Sequence, residues 1–157
     1  MDPREIAEIV KRIPIFQGFT AEQTTRMLDV CEERKVEAGE FIFREGTQSS
    51  EMLILLEGHL HVTTRSGAEI ASVWEMGLVG EMGTLTDQTR SASVVAIQPS
   101  RMLSISREEL LKLIDEDKDM GFEIYKNVTL LLCDRLRDNN ILLEQQYLVL
   151  EDLAGEG

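Results

Sequence analysis

Apolar residues recur along this chain with two different periods, and the changes of period divide it into three zones. From residue 3 to about 32 the spacing is helical. Ile6, Ile9, Val10 and Ile13 fall on one side of a helix that Pro3 opens and Pro14 ends. A second short helix is predicted after Thr20, a capping residue followed by Glu22 and Gln23 in the first turn and by Met27, Leu28 and Cys31 on one side. Both helices are short and amphipathic, so they need a larger body to pack on.

From residue 34 to about 105 the period shortens. The segments FIF, MLILLEG, HLHVTT, EIASVW, SASVVAI and RMLSIS are separated by turns at Gly39, Gly46, Gly58, Gly67 and Gly77, with another at Pro99 and Ser100. Short strands at intervals of about ten residues predict an all-β sandwich or barrel. The rhythm breaks between Gly80 and Arg90, where a short helix from about Glu81 to Leu85 is expected.

The third zone is helical again. Ser106 and Glu109 make a capping box ahead of LLKLI, which ends at the charged run Asp115 to Asp119. A long helix is predicted from Met120 to Leu153. Its last part carries Leu136, Asn140, Leu143, Tyr147 and Leu150, spaced alternately four and three residues apart. This heptad seam has one polar position, of the kind that fixes register in two-stranded pairs, and predicts a homodimer. The same stripe could instead pack on the β zone.

At 157 residues the chain fits one domain, 1–157, divided into helices over 1–33, a β body over 34–105 and helices over 106–153. The fold class is α+β, mainly β. A net charge of -13 repels nucleic acid and anionic membranes, so neither is expected as a partner. The longest apolar run, Met52 to Leu56, is far short of the roughly 20 residues of a membrane helix. The opening MDPREIAEIV lacks the apolar stretch of a secretory signal, and a cytoplasmic location follows as the expectation. Cys31 and Cys133, with no CxxC spacing, are read as buried, reduced thiols.

The candidate chemistry lies in GEMGTLTDQTRSASV, residues 80–94. Gly80 and Gly83 let backbone amides approach a ligand, Arg90 offers a planar charged fork that matches phosphate oxygens, and Ser91 adds a hydroxyl. Ionised Glu81 only accepts, so it suits a sugar hydroxyl and repels phosphate. The two charges therefore fit opposite ends of a small phosphorylated sugar. Glu81 could equally favour a helix N-terminus, and Arg90 could be a solvated charge. His59 and His61 share one face of a strand, which leaves open a metal-dependent jelly-roll enzyme. However, there is no third histidine, and Glu69 lies beyond the turn at Gly67, so two surface histidines are the expectation. Trp74 and Met76 are read as core. No Ser/His/Asp or Cys/His arrangement and no Walker loop is evident, and catalysis is not expected.

The cassette VGEMGTLTDQTRSASV, with AGEFIFREG at 38–46 and LLEGHLHV at 55–62, resembles the cyclic nucleotide-binding domain of catabolite activators, protein kinase A regulatory subunits and cyclic nucleotide-gated channels. The resemblance implies an eight-stranded jelly roll and a regulatory domain whose final helix moves when ligand binds. It implies that Arg90 pairs with the cyclic phosphate and Glu81 with the ribose 2′-hydroxyl. Gly80, Met82 and Gly83 line the pocket, and Ser91 bonds the phosphate. Val62, Ala71 and Ser72 wall the base, and Asn139 and Asn140 on the final helix read the purine. Val79 and Thr84 depart from the family pattern, and Thr84 is expected to loosen the short helix. Ser91 in place of threonine favours cAMP over cGMP, with no metal or further cofactor. A degenerate member acting only as an interaction scaffold would share these features. The output partner is an unknown effector protein or a further part of a longer chain.

Overall fold

The computed structural model describes residues 2–156. Helix α1 (Pro3–Val10) is capped by Asp2, whose Oδ1 accepts from the Arg4 amide at 2.9 Å. It ends before Ile13 because the chain turns there into a 3-10 turn, Pro14–Phe16, that carries Ile13, Ile15 and Phe16 into the core. Helix α2 (Ala21–Asp29) has the full reciprocal capping box of Thr20 and Gln23.

Eight strands follow, with one helix between the sixth and seventh. They are β1 (Glu32–Val36), β2 (Phe41–Phe43), β3 (Glu51–Glu57), β4 (Leu60–Thr63), β5 (Glu69–Val73), β6 (Leu78–Val79), helix α3 (Glu81–Thr86), β7 (Ser93–Ala96) and β8 (Ser100–Ser106). They form two antiparallel four-stranded sheets, ordered β1-β8-β3-β6 and β2-β7-β4-β5. The apolar run in β3 has a simple cause. Successive side chains point to opposite faces, and both faces are covered. Leu53 and Leu55 enter the interior of the roll with Leu60, Val79, Val94 and Met102. Met52, Ile54 and Leu56 point outward and are covered by the helices.

Two strands carry no readable apolar signal. β1 reads EERKV and pairs only with β8 at the sheet edge, where charged side chains suit a solvated strand. β6 has two residues, too few for any period.

Helix α4 (Arg107–Glu116) is capped by Ser106, which accepts from the Glu109 amide at 3.2 Å. Helix α5 (Lys118–Gly155) follows without a loop. Its cap Asp117 accepts from the Met120 amide at 3.0 Å and from Gln23 Nε2 at 3.1 Å. These bonds, with Arg26 nearby, hold the Asp117 carboxyl below its usual range. The cap therefore contributes above the ordinary carboxylate pKa and is lost as the pH falls through its depressed value. Farther along α5, buried Asn127 donates through Nδ2 to the carbonyls of Ile15 at 3.0 Å and Gln17 at 2.8 Å. Ile124 and Val128 pack beside it in the outer core. From Leu136 to Glu156 every residue is exposed.

One of the two thiols differs from expectation. Both are free, but Cys133 is exposed, because it lies where α5 leaves the domain. Cys31 is packed against the helical core, and burial pushes its thiol up to about 12. Alkylation at pH 8 followed by peptide mass analysis should leave Cys31 unmodified in the native protein and label it after denaturation. Leu55→Ala, which empties a fully buried site, should destabilise the fold by about 2–5 kcal/mol in urea titration.

Candidate functional site

Gly80 makes the turn from β6 into α3 with a left-handed φ of 84°. A Cβ there would lie 2.6 Å from Arg90 Nη1 and 2.9 Å from both the Glu51 carbonyl oxygen and the Phe43 ring. Glycine is required twice over, by conformation and by space. Gly83 is equally confined, since a Cβ would fall 1.9 Å from Ser49 Oγ. Helix α3 runs one residue past the expected end and stops at Asp87, itself left-handed. The chain then returns alongside the β2–β3 loop. There the Arg90 amide donates to Thr47 at 2.8 Å, and the Arg90 carbonyl accepts from Gly46 at 2.9 Å.

This backbone clamp directs the Arg90 side chain inward, where it is 6% exposed. Nη1 donates to the Gly80 carbonyl at 3.2 Å and Nη2 to the Glu51 carbonyl at 2.6 Å, while Cζ sits 3.5 Å over the Phe43 ring. Burial pulls the Arg90 pKa down, against the raising influence of Glu51 and Glu81. The group stays charged at neutral pH, as arginine does in proteins. Two of its five donors are used on these carbonyls, and the others can meet an anion.

Thr84 reverses its expected effect. It is fully buried, and its Oγ1 donates at 2.8 Å to the same Glu51 carbonyl that Arg90 uses. The hydroxyl thus fastens α3 to β3 where an apolar residue would only pack.

Glu81 is 2% exposed and bonds to Arg135 of α5, whose other terminal nitrogen donates to the Leu78 carbonyl. A carboxylate this deeply buried needs a paired cation. Nothing local in the sequence marks Arg135 as that cation. Its signal is the unmet demand of Glu81, 54 positions away. Glu81 and Arg90 form no ion pair with each other, so the two charges of the cassette keep separate partners.

The other candidates divide by position. Val62 packs against the roll interior, and Ala71 stands directly opposite it on β5. Ser72 pairs with His61 instead, and its hydroxyl donates to Glu69 Oε1 at 3.1 Å. In an antiparallel ladder opposite residues share a face, so Ser72 lies on the face away from Val62 and Ala71. Met82 and Ser91 are exposed members of the cassette. Asn139 and Asn140 lie about one turn beyond Arg135 on the exposed stretch of α5, and the structure does not bring them to the cassette.

The histidines and Trp74 also differ from expectation. His59 is buried rather than a surface residue, because Trp74 stacks on it with ring centroids 3.6 Å apart and is itself 63% exposed rather than core. The β4–β5 hairpin carries Glu69 back across the turn, to 3.3 Å from His61 Nδ1. Among the described residues no group of three or more metal-ligating side chains is placed to hold an ion.

Comparison with known proteins places this geometry in context. Residues 33–117 match the family model of the cyclic nucleotide-binding domain. Glutaminase 1 of Bradyrhizobium diazoefficiens is 26% identical over 87% of this chain and 22% of its own length. The cyclic AMP receptor protein of Thermus thermophilus is 28% identical over 86% of this chain and 62% of its own. The chain therefore spans less than two thirds of either curated relative. A crystal structure of a cyclic nucleotide-binding domain from Methylobacillus flagellatus is 27% identical, with a TM-score of 0.76 over 86% of this chain and 78% of that one. No helix among the described residues is long and apolar enough to cross a membrane.

Gly80→Ala tests how tightly the cassette is built. Strain of this kind typically costs about 1–3 kcal/mol, and the loss should appear as a lower unfolding midpoint in thermal or urea denaturation.

Proposed function

The chain belongs to the cyclic nucleotide-binding domain family, and we propose that it is a cytoplasmic sensor that binds cAMP in the cassette and passes the event to α5. One observation carries this reading. Arg90 is a buried, permanently charged guanidinium with donors to spare, set against Gly80 and close enough to buried Glu81 for the two charges to interact. A cyclic phosphate is a compact anion that such a group can chelate. A ribose hydroxyl can donate to Glu81, and Val62 with Ala71 offers an apolar wall for the base.

The coupling rests on Arg135. Because Glu81 already accepts from Arg135, a ribose hydroxyl arriving there must share or displace that partner. Either event alters the one ionic tie between α5 and the cassette seen in this structure. A ligand shifts a conformational equilibrium only by its differential affinity for the two states, and here the difference lies in that contact. Asn139 and Asn140 would add base contacts only after α5 moves. The exposed seam of Leu136, Asn140, Leu143, Tyr147 and Leu150 pairs two copies, and the output passes to a separate effector protein.

A second reading has its own support. Arg90, Glu81 and Thr84 all have protein partners in this structure. A cassette satisfied in this way also suits a scaffold that binds no nucleotide.

Calorimetry with cAMP and cGMP separates the two. The sensor reading expects saturable heat that is stronger for cAMP. Arg90→Ala should weaken it at least about 100-fold, since a chelated phosphate loses two hydrogen bonds to a charged group, each contributing roughly 1.5–3 kcal/mol. No heat with either nucleotide favours the scaffold. Unchanged affinity in Arg90→Ala overturns the phosphate assignment. Hydrogen exchange checks the coupling: cAMP should alter exchange in α5 around Arg135, and Arg135→Ala should abolish that difference.

A further inference from the structure

The exposed end of α5 carries more apolar surface than one partner helix can cover. Beside the seam Leu136, Asn140, Leu143, Tyr147 and Leu150 runs a second one: Asn139, Leu142, Gln146, Val149 and Leu153, spaced alternately three and four residues apart. Its apolar members are between 49% and 63% exposed. At about 100° per residue, the two seams are centred about 100° apart around the helix. A two-stranded coil uses one seam only. Two seams at this angle match a helix with two neighbours at the corners of a square, where neighbours subtend about 90°, rather than a triangle, where they subtend about 60°.

We propose that the free ends of α5 from four copies of this chain assemble as a four-helix bundle, the second seam joining two dimers. Charge placement fits packing against like helices. All five ionised side chains between Leu136 and Leu153, namely Arg137, Asp138, Glu144, Glu151 and Asp152, fall outside both seams. A copy of the same acidic helix can therefore approach either seam without an ionised group between them. Tyr147, the aromatic member, donates its hydroxyl to Glu151 of its own helix at 2.8 Å, so its polar tip is satisfied when the ring is covered. Asn139, Asn140 and Gln146 both donate and accept, which makes an identical helix a self-complementary partner for them.

Area points the same way. Fifteen residues of helix make a strip about 22 Å long and about 10 Å wide, which offers roughly a few hundred Å² per seam against the roughly 800 Å² per partner of a stable interface. The second seam roughly doubles what each helix buries. Ile141 and Leu148 stay outside both seams.

The inference rests on the dimer seam of the proposed function, and analytical ultracentrifugation of the full chain keeps the two apart. The wild-type protein should sediment near four times the 17.8 kDa of one chain. Leu142→Glu with Val149→Glu should halve that mass, and Leu142→Gln with Val149→Gln should do the same without added charge. Unchanged helical circular dichroism shows that the variants stay folded. A wild-type dimer overturns the bundle and leaves the dimer seam standing, whereas a wild-type monomer overturns both. A tetramer that neither pair of substitutions disturbs overturns the second seam as the contact.

Discussion

Burying a guanidinium is unfavourable unless its donors and its charge are met, and the architecture around Arg90 follows from that requirement. The Glu51 carbonyl accepts from it at 2.6 Å, the Gly80 carbonyl at 3.2 Å, and the Phe43 ring lies beneath it. Each partner imposes a further condition. Gly80 presents its carbonyl in a left-handed turn where an added Cβ would strike Arg90 and the Glu51 carbonyl. Glu51 offers its backbone carbonyl to Arg90 while its carboxylate accepts from Arg34 and Ser104. Thr84 then uses the same carbonyl to bind α3 to β3. The result is a hydrogen-bonded network that ties Arg90, α3 and β3 together at one end of the roll.

The second charge of the cassette belongs to a different system. Glu81 is held by Arg135, so the cassette and α5 share one ion pair between a buried carboxylate and a partly exposed cation. Upstream, α5 is fixed by Asn127, by Ile124 and Val128 and by the capped junction at Asp117. From Leu136 to Glu156 it is exposed throughout. Among the described residues Arg135 makes the last hydrogen bonds and ion pair between the helix and the roll. In the proposed sensor this ion pair is the contact through which occupancy of the cassette would reach α5.

Much of this was legible because the residues concerned solve local problems. The Thr20 cap, the strands FIF and MLILLEG and the heptad spacing of α5 depend on neighbours within a few positions, and the structure contains each of them. β1 was not legible because its pairing with β8 is made by backbone groups, and EERKV shows no buried face. Trp74 and His59 were misjudged because their stacking depends on which residues β4 and β5 place side by side. Glu69 was judged remote from His61 for the same reason. Distance along the chain is a poor guide across a hairpin.

The sequence by itself determined the three zones, the all-β sandwich or barrel between the helices, the cassette from Gly80 to Val94 and the amphipathic end of α5. These follow from periodicity, from glycine's conformational freedom and from the fixed chemistry of arginine and glutamate. Only the tertiary structure decided which groups those charges meet. The Glu51 carbonyl, the hydroxyl of Thr84 and the guanidinium of Arg135 reach the cassette from separate strands and helices. The reason is physical: a buried charge requires a partner, but it does not say from which part of the chain that partner must come.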